Sequence, residues 1–373
     1  MIVIIVGKAI TMRSLIVLVA LLLVPHVANA GLHGGIEIGS RGVKVVVLEF
    51  TPLPDGYELV VKFTETFNTT LVAGIAAKGE FDSKAIDQTA DVVAKFAQRF
   101  RTEFKVSEAN LYVVGSSGLF SPIETNPELV ATNTKRLADA VNKASRLTMD
   151  FITATQEAEL SVEGIIPFGQ RDNAVLIDIG GGNTKGGFAV AKQAPKLFAI
   201  PFGTISFTES VKKKGGDFNQ KIVSARPMLE AKLHEFLVAN PDARKRPRVY
   251  ISGGTPWAVA TIAAPGDRRA FTPLTMADID AIEQKLLADP TKIPTPNFAA
   301  IPNEMTRTAA VKEFDKVQKA YEKADVLLGG VEVLKAVAKE FHFADPTKTV
   351  LFARHGSVGW LLAYVVRAEN AKK

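Results

Sequence analysis

Val175-Leu176-Ile177-Asp178-Ile179-Gly180-Gly181-Gly182-Asn183-Thr184-Lys185 sets the reading of the whole chain. An apolar run of strand length ends in an acid and three glycines, so a buried strand delivers a carboxylate and a side-chain-free turn to one place. The N–H groups of such a turn can point at an anion such as phosphate, and the acid can hold a divalent cation or orient a water. Taken alone, the stretch reads as well as a glycine-rich hairpin turn without a ligand. A second copy stands earlier, at Ile36-Glu37-Ile38-Gly39-Ser40-Arg41-Gly42-Val43-Lys44. It repeats Ile, acid, Ile, Gly and a small residue, and both copies carry a lysine seven residues after the acid. Duplication is the simplest explanation: two similar lobes face each other across a cleft and grip a phosphate chain from both sides. Chance likeness of two short turns is the alternative.

The chain has 373 residues, too many for one ordinary core, so two domains are expected. Hydrophobic residues make up 47% and charged residues 23%, a globular balance. Cysteine is absent, which excludes disulfides, thiol catalysis and Cys-ligated zinc, and five histidines leave little for a His-rich metal site. Residues 1–30 read as a signal peptide. Arg13 precedes the apolar run Leu15 to Val24, and Ala28-Asn29-Ala30 supplies small residues for cleavage before Gly31. Met12 is an alternative start, and a retained N-terminal anchor is the other reading of this run. Nothing later resembles a membrane span, so the mature chain is expected to be periplasmic or secreted, where ATP is scarce. Removing Lys8 and Arg13 lowers the formal charge from +6 to +4, too little to argue for nucleic acid.

Val43 to Phe50 and Tyr57 to Phe67 read as strands joined through Pro52 to Gly56. Ala85 to Phe104 has helical periodicity, and Leu111 to Val114 is a buried strand opening into Gly115-Ser116-Ser117-Gly118. Asn133 to Arg146 reads as a helix and Phe151-Ile152 as a short strand. In the helix that follows Thr153 or Thr155, spacing separates Glu157 from Glu159 and Glu163; on composition alone this is a solvated acidic face. Later, Ala309 to Tyr321, Gly330 to Phe341 and Trp360 to Arg367 read as helices, Thr349 to Ala353 as a strand, and Asp289 to Pro302 as a proline-rich loop. The basic clusters Lys212-Lys213-Lys214-Gly215-Gly216 and Arg244-Lys245-Arg246-Pro247-Arg248 read as surface, or as guides for a long polyanion.

In their order and spacing these motifs resemble the exopolyphosphatase and guanosine-pentaphosphate phosphohydrolase family, within the superfamily of acetate kinase, sugar kinases, heat-shock chaperones and actin. Ile36 to Lys44 is similar to that family's D-I-G-S-N-S-hydrophobic-R. Ile152 to Leu160 is similar to I-S-G-x-E-E-A-R-L, and Ile177 to Lys185 to I-D-I-G-G-G-S-T-E. Phe202 to Thr208, Val249 to Thr255 and Ala324 to Gly330 follow in the expected order. The resemblance implies an α/β fold of two ribonuclease H-like (actin-like ATPase) domains, 31–152 and 153–373, with a ligand cleft between them and the last helix packing back on the first. It implies Mg²⁺-assisted release of terminal phosphate from polyphosphate or another phosphorylated small molecule. Glu157 would be the general base and Asp178 a water or metal ligand, with Glu37 as a second metal ligand. Phosphate would be held by Gly39, Ser40, Arg41 and Lys44, by Gly180, Gly181, Gly182, Asn183 and Thr184, and by Gly253 and Gly254. No nucleic acid or membrane partner is implied, and there is room for a homodimer.

Several departures weigh against catalysis. Lys185 stands where the motif has Glu, Phe120 where an Arg is expected, Gln156 in place of the first Glu of E-E-A, and Ser357-Val358-Gly359 in place of R-E-G. Glu37 replaces Asp, and Lys44 replaces Arg. The competing reading is therefore a receptor for polyphosphate or a related anion, built on the same fold and not catalytic. A kinase is disfavoured because export separates the cleft from ATP.

Overall fold

The structure, a computed structural model, describes residues 31–39, 42–53, 56–69, 71, 75, 79–120, 123, 125–213 and 215–372. The leader-like stretch 1–30 lies outside the described residues, as do Ser40, Arg41 and Lys214.

The first unit begins with three antiparallel strands, β1 (Gly31–Gly39), β2 (Gly42–Leu53) and β3 (Gly56–Asn68). Helix α1 (Ser83–Thr102), strand β4 (Leu111–Gly115), helix α2 (Pro127–Ser145) and strand β5 (Met149–Phe151) complete it. After α3 (Ala154–Ile165), the second unit repeats the pattern with β6 (Ala174–Ile179), β7 (Thr184–Val190) and β8 (Gln193–Ile200). It continues through α4 (Thr204–Lys212), α5 (Phe218–Ala239), α6 (Asp242–Lys245), β9 (Arg248–Gly253) and α7 (Gly254–Ala263). The chain ends with β10 (Phe271–Pro273), α8 (Met276–Ala288), α9 (Glu304–Ala320), α10 (Ala324–Glu340), β11 (Thr349–Ala353) and α11 (Gly359–Ala371).

The two sheets share one topology. The first runs β3-β2-β1-β4-β5; the second, β8-β7-β6-β9-β11, carries β10 as an added edge. In each, the first two pairings are antiparallel and the next two parallel. The duplication seen in two nine-residue stretches therefore extends over whole sheets.

Alternating strand residues bury both faces of the first sheet. Val45 and Val47 lie under α1 and α2 with Phe96, Phe100 and Leu137, whereas Val46 and Leu48 meet Trp360, Leu361 and Val365 of α11. In the second sheet, Ile177, Ile179 and Ile251 join the large core beneath α4, α5, α7, α8 and α10, and Leu176 and Tyr250 meet Val162 and Ile165 of α3. Each fully buried aliphatic side chain is worth about 1.5–3 kcal/mol relative to exposure. Helices α3 and α11 thus lie between the sheets. They approach closely enough that a Cβ on Gly164 would stand 1.8 Å from the Gly359 carbonyl oxygen. Arg367 of α11 reaches Glu159 and Glu163 of α3, so the acidic face expected to be solvated is partly engaged in ion pairs.

Three helices begin well before periodicity predicts, among them α9, at Glu304 where the pattern starts at Ala309. Helix α2 starts at Pro127, with the Asn126 side chain accepting from the Leu129 amide. Helix α10 starts at Ala324 and runs through Gly329 and Gly330. There a Cβ would stand 2.0 Å from the Thr208 hydroxyl and 2.0 Å from that of Thr255. Those glycines permit close helix packing and do not mark a boundary. The described residues contain no helix long and apolar enough to cross a membrane.

Candidate active site

Strands β1 and β6 carry their acids to matching places. Glu37 is the cross-strand partner of Lys44 in β2, and Asp178 is the cross-strand partner of Lys185 in β7. The seven-residue spacing from acid to lysine is thus the span of a strand–turn–strand. Strand pairing also brings in the loops after the parallel neighbours: Ile38 lies opposite Gly115, and Ile179 opposite Gly253.

Glu157 sits where these pieces converge. A capping box fixes the start of its helix, with Thr153 Oγ1 accepting from the Gln156 amide at 3.2 Å and Gln156 Oε1 accepting from the Thr153 amide at 2.9 Å. Gln156 therefore has a local structural task, and the next residue, Glu157, turns inward to 5% exposure. Its Oε2 accepts from the Ser117 amide at 3.0 Å and the Ser117 hydroxyl at 2.6 Å. Its Oε1 lies 2.8 Å from Lys185 Nζ. The same ammonium stands 3.3 Å from Asp178 Oδ2, while Asp178 Oδ1 accepts from the Ser252 hydroxyl at 2.6 Å. One buried lysine therefore bridges the two acids expected to do the chemistry. Ser117 and Ser252, neither singled out as a site residue by the sequence, lie in the loops after β4 and at the end of β9 and orient those acids.

The charges follow from this geometry. Burial would raise the Glu157 carboxyl, but the Lys185 ammonium and the two Ser117 donors outweigh it and hold the group below the usual glutamate range. Burial would lower Lys185, but Glu157 and Asp178 outweigh it and keep the ammonium protonated far above neutrality. Glu37, 3% exposed, goes the other way: burial raises it more than Lys44 lowers it, and the charge on Glu157 adds to the rise. Lys44 Nζ is 3.1 Å from Glu37 Oε1 and also donates to the Ser357 carbonyl at 3.3 Å.

The glycine turn of the second unit is firmly set. Gly180 donates to the Asn183 carbonyl, and the Thr204 and Ile205 amides at the start of α4 donate to the Gly180 and Gly181 carbonyls at 2.9 and 2.8 Å. A Cβ on Gly203 would stand 2.4 Å from the Gly180 carbonyl oxygen. With the turn's carbonyls directed at α4, the amides of Gly181, Gly182 and Asn183 have no protein acceptor among the described residues. These three donors can meet an anion. Gly39 lies beside Glu37 and Ser116, while Gly253, at φ 106°, and Gly254 form the start of α7.

Other expectations need correction. Thr184 is fully buried and donates its hydroxyl to the Phe202 carbonyl at 2.8 Å, so it serves the hairpin and is not presented to an anion. Phe120 packs between Phe81 and Phe151, an aromatic contact in place of a phosphate clamp. Arg246 donates to the carbonyls of Arg171, Asp172, Ala174 and Ala189, and Lys212 pairs with Asp325 at 2.8 Å. These two basic side chains are tied into the structure and do not form a polyanion guide. Arg354 is likewise held by the Arg269 and Asp267 carbonyls. A hollow of about 310 Å³ lined by Glu108, Tyr112, Arg146, Asp150 and Tyr364 opens near the other end of β4, away from Ser117.

The donor set does not fit the Mg²⁺ ion placed on Glu37 and Asp178. A divalent cation needs carboxylate oxygens facing a common point, and each of these acids faces a lysine. Among the described residues no three His, Asp or Glu side chains gather for a metal.

A model of the Ppx/GppA phosphatase family matches residues 55–359. Among solved structures, the chain is similar to the Ppx/GppA family member of Aquifex aeolicus, at 18% identity and TM-score 0.63 over 91% of this chain and 99% of that one. It is similar to an exopolyphosphatase-like protein at 18% identity and TM-score 0.65, covering 92% and 99%. An exopolyphosphatase from Cytophaga hutchinsonii matches at 18% and 0.60, covering 91% and 98%. At such identity the structures speak for architecture, the two-domain actin-like ATPase fold. Together with the family match over most of its length, they place this chain in the Ppx/GppA phosphatase family.

Proposed function

We propose that this protein binds polyphosphate or a related phosphoanhydride where its two hairpins converge and hydrolyses the terminal phosphate, with Glu157 as general base. The observation that carries the reading is the placement of Glu157, fixed by Ser117 of the first unit and Lys185 of the second, together with the amides of Gly181 to Asn183, which have no protein acceptor among the described residues. Three of the four lone-pair positions on its carboxylate are taken, which leaves one on Oε1 for the proton of an attacking water. A base held below its ordinary range is weak, so turnover is expected to be slow. The amides of Gly181, Gly182 and Asn183, with Lys44, would bind phosphoryl oxygens and offset developing charge. On the strength of residues 1–30, the reading places this activity outside the cytoplasm.

The Lys185 bridge favours a second reading, in which the cleft receives the anion and does not cleave it. Phosphate release from long-chain polyphosphate by the chain beginning at Gly31, with and without Mg²⁺ and beside Glu157→Ala, separates the two. Release that falls about 10²–10⁴-fold in the variant supports the hydrolase. Binding by both proteins without release supports the receptor. Absence of binding overturns both.

A further inference from the structure

We propose that Lys185 is the resident cation of this cleft: its ammonium takes the place between Glu157 and Asp178 that a divalent ion would take, so a phosphorylated anion is engaged with no metal bound by the protein. The second clause rests on the phosphoanhydride reading above; the first stands on geometry alone.

The ammonium is 2.8 Å from Glu157 Oε1 and 3.3 Å from Asp178 Oδ2, with a side-chain exposure of 7%. A metal entering here would share a buried space with a fixed positive charge or would evict it, leaving an ammonium unpaired away from water. The charge balance agrees. The motif this stretch resembles has a carboxylate at the position of Lys185, and replacing it with an ammonium adds two positive charges, as many as one divalent cation carries. Glu157, Asp178 and Lys185 together bear one net negative charge, the same as three carboxylates around a divalent ion. An ammonium also has three donors, and only two are used among the described residues, so one remains for a phosphoryl oxygen. Lys44 does not do the same in the first unit: its side chain is 33% exposed and bonds to Glu37 and a backbone carbonyl. The bridge belongs to the second unit alone.

The test adds Mn²⁺ to chelator-stripped protein, with free Mn²⁺ read by electron paramagnetic resonance, and measures tripolyphosphate binding by calorimetry in EDTA. The wild type is expected to take up no Mn²⁺ at sub-millimolar concentration, whereas Lys185→Glu takes up one equivalent and its melting temperature rises with Mn²⁺. If Lys185→Glu does not fold, Lys185→Gln, which removes the charge without adding an acid, is expected to bind Mn²⁺ more weakly but still more tightly than the wild type. Tripolyphosphate is expected to bind the wild type in EDTA and to bind Lys185→Gln at least tenfold more weakly. Stoichiometric Mn²⁺ uptake by the wild type, abolished in Asp178→Asn, would overturn the assignment of Lys185. Tripolyphosphate binding that requires added metal would overturn the metal-free engagement. Failure to bind tripolyphosphate under any condition would overturn the phosphoanhydride reading, while the Mn²⁺ titration would still decide the role of the lysine.

Discussion

The hairpins β1–β2 and β6–β7 have the same topology, register and acid-to-lysine pairing, yet they hold charge differently. In the first, Lys44 keeps a third of its side chain in water and pairs with one acid, Glu37. In the second, Lys185 is almost fully enclosed and serves two acids, one of them delivered by α3 from between the sheets. Duplication fixed the backbone of both units, while the third partner decided the electrostatics. With one acid per lysine, the group at the cleft stays adaptable; with two acids and almost no water, it becomes part of the framework.

The sharpest way to break this comparison is to remove each lysine charge in turn. Lys185→Met leaves Glu157 and Asp178 side by side and enclosed, which should cost about 3–5 kcal/mol in urea unfolding. Lys44→Met leaves the buried Glu37 without its partner, but that carboxyl, already raised by burial, can take up a proton, so the cost should be smaller, about 1–2 kcal/mol. Equal costs would show that burial does not distinguish the hairpins.

A smaller contrast concerns the glycines that end β4 and β9, which are equivalent by register. An alanine at Gly253 would hold a Cβ 2.0 Å from the Ile179 carbonyl oxygen at φ 106°, so both backbone and contact oppose it. At Gly115 the nearest atom, 2.5 Å away, belongs to the Phe151 ring, which can move. Gly253→Ala should lower stability by about 2–3 kcal/mol and Gly115→Ala by about 1 kcal/mol, measured by thermal melting.

Most of the architecture was legible because it rests on local pattern. The apolar run, acid and glycine turn of Val175 to Gly182 specify a strand end wherever they occur, and finding them twice specified the duplication. The site was legible only in part, because its decisive contacts join residues far apart in sequence. Lys185 could be seen as a departure from a motif, but its reach to Glu157, contributed by a helix of its own, depends on how α3 lies across the second sheet. Ser117 and Ser252 were hidden for the same reason: each enters through parallel pairing with β1 or β6. Gln156 and Phe120, which from the sequence alone are losses of function, prove to be a cap and an aromatic contact. Glycine was the most misleading residue type, opening a turn at Gly180 and permitting close helix packing at Gly329.

The smallest predicted effect is the most discriminating, because it changes sign between the hairpins. Glu157 is held below the ordinary glutamate value of 4.5, so its charge stabilises the fold above that pH, and the stabilisation is lost as pH falls through its folded value. Glu37 is raised above 4.5, so the stability linked to it is fully present below that pH and is lost as pH rises through its folded value. Removing each charge with a near-isosteric amide should therefore act oppositely at pH 7. Glu157→Gln should destabilise by about 1–2 kcal/mol, with the deficit shrinking on acidification, and Glu37→Gln should stabilise by up to about 1 kcal/mol, with the gain vanishing below pH 4.5. Urea unfolding of the wild type and both variants from pH 4 to 8 measures this. If both amides destabilised at pH 7, the Lys44 pair would outweigh burial in the first hairpin as the Lys185 bridge does in the second, and the two units would be electrostatic equivalents after all.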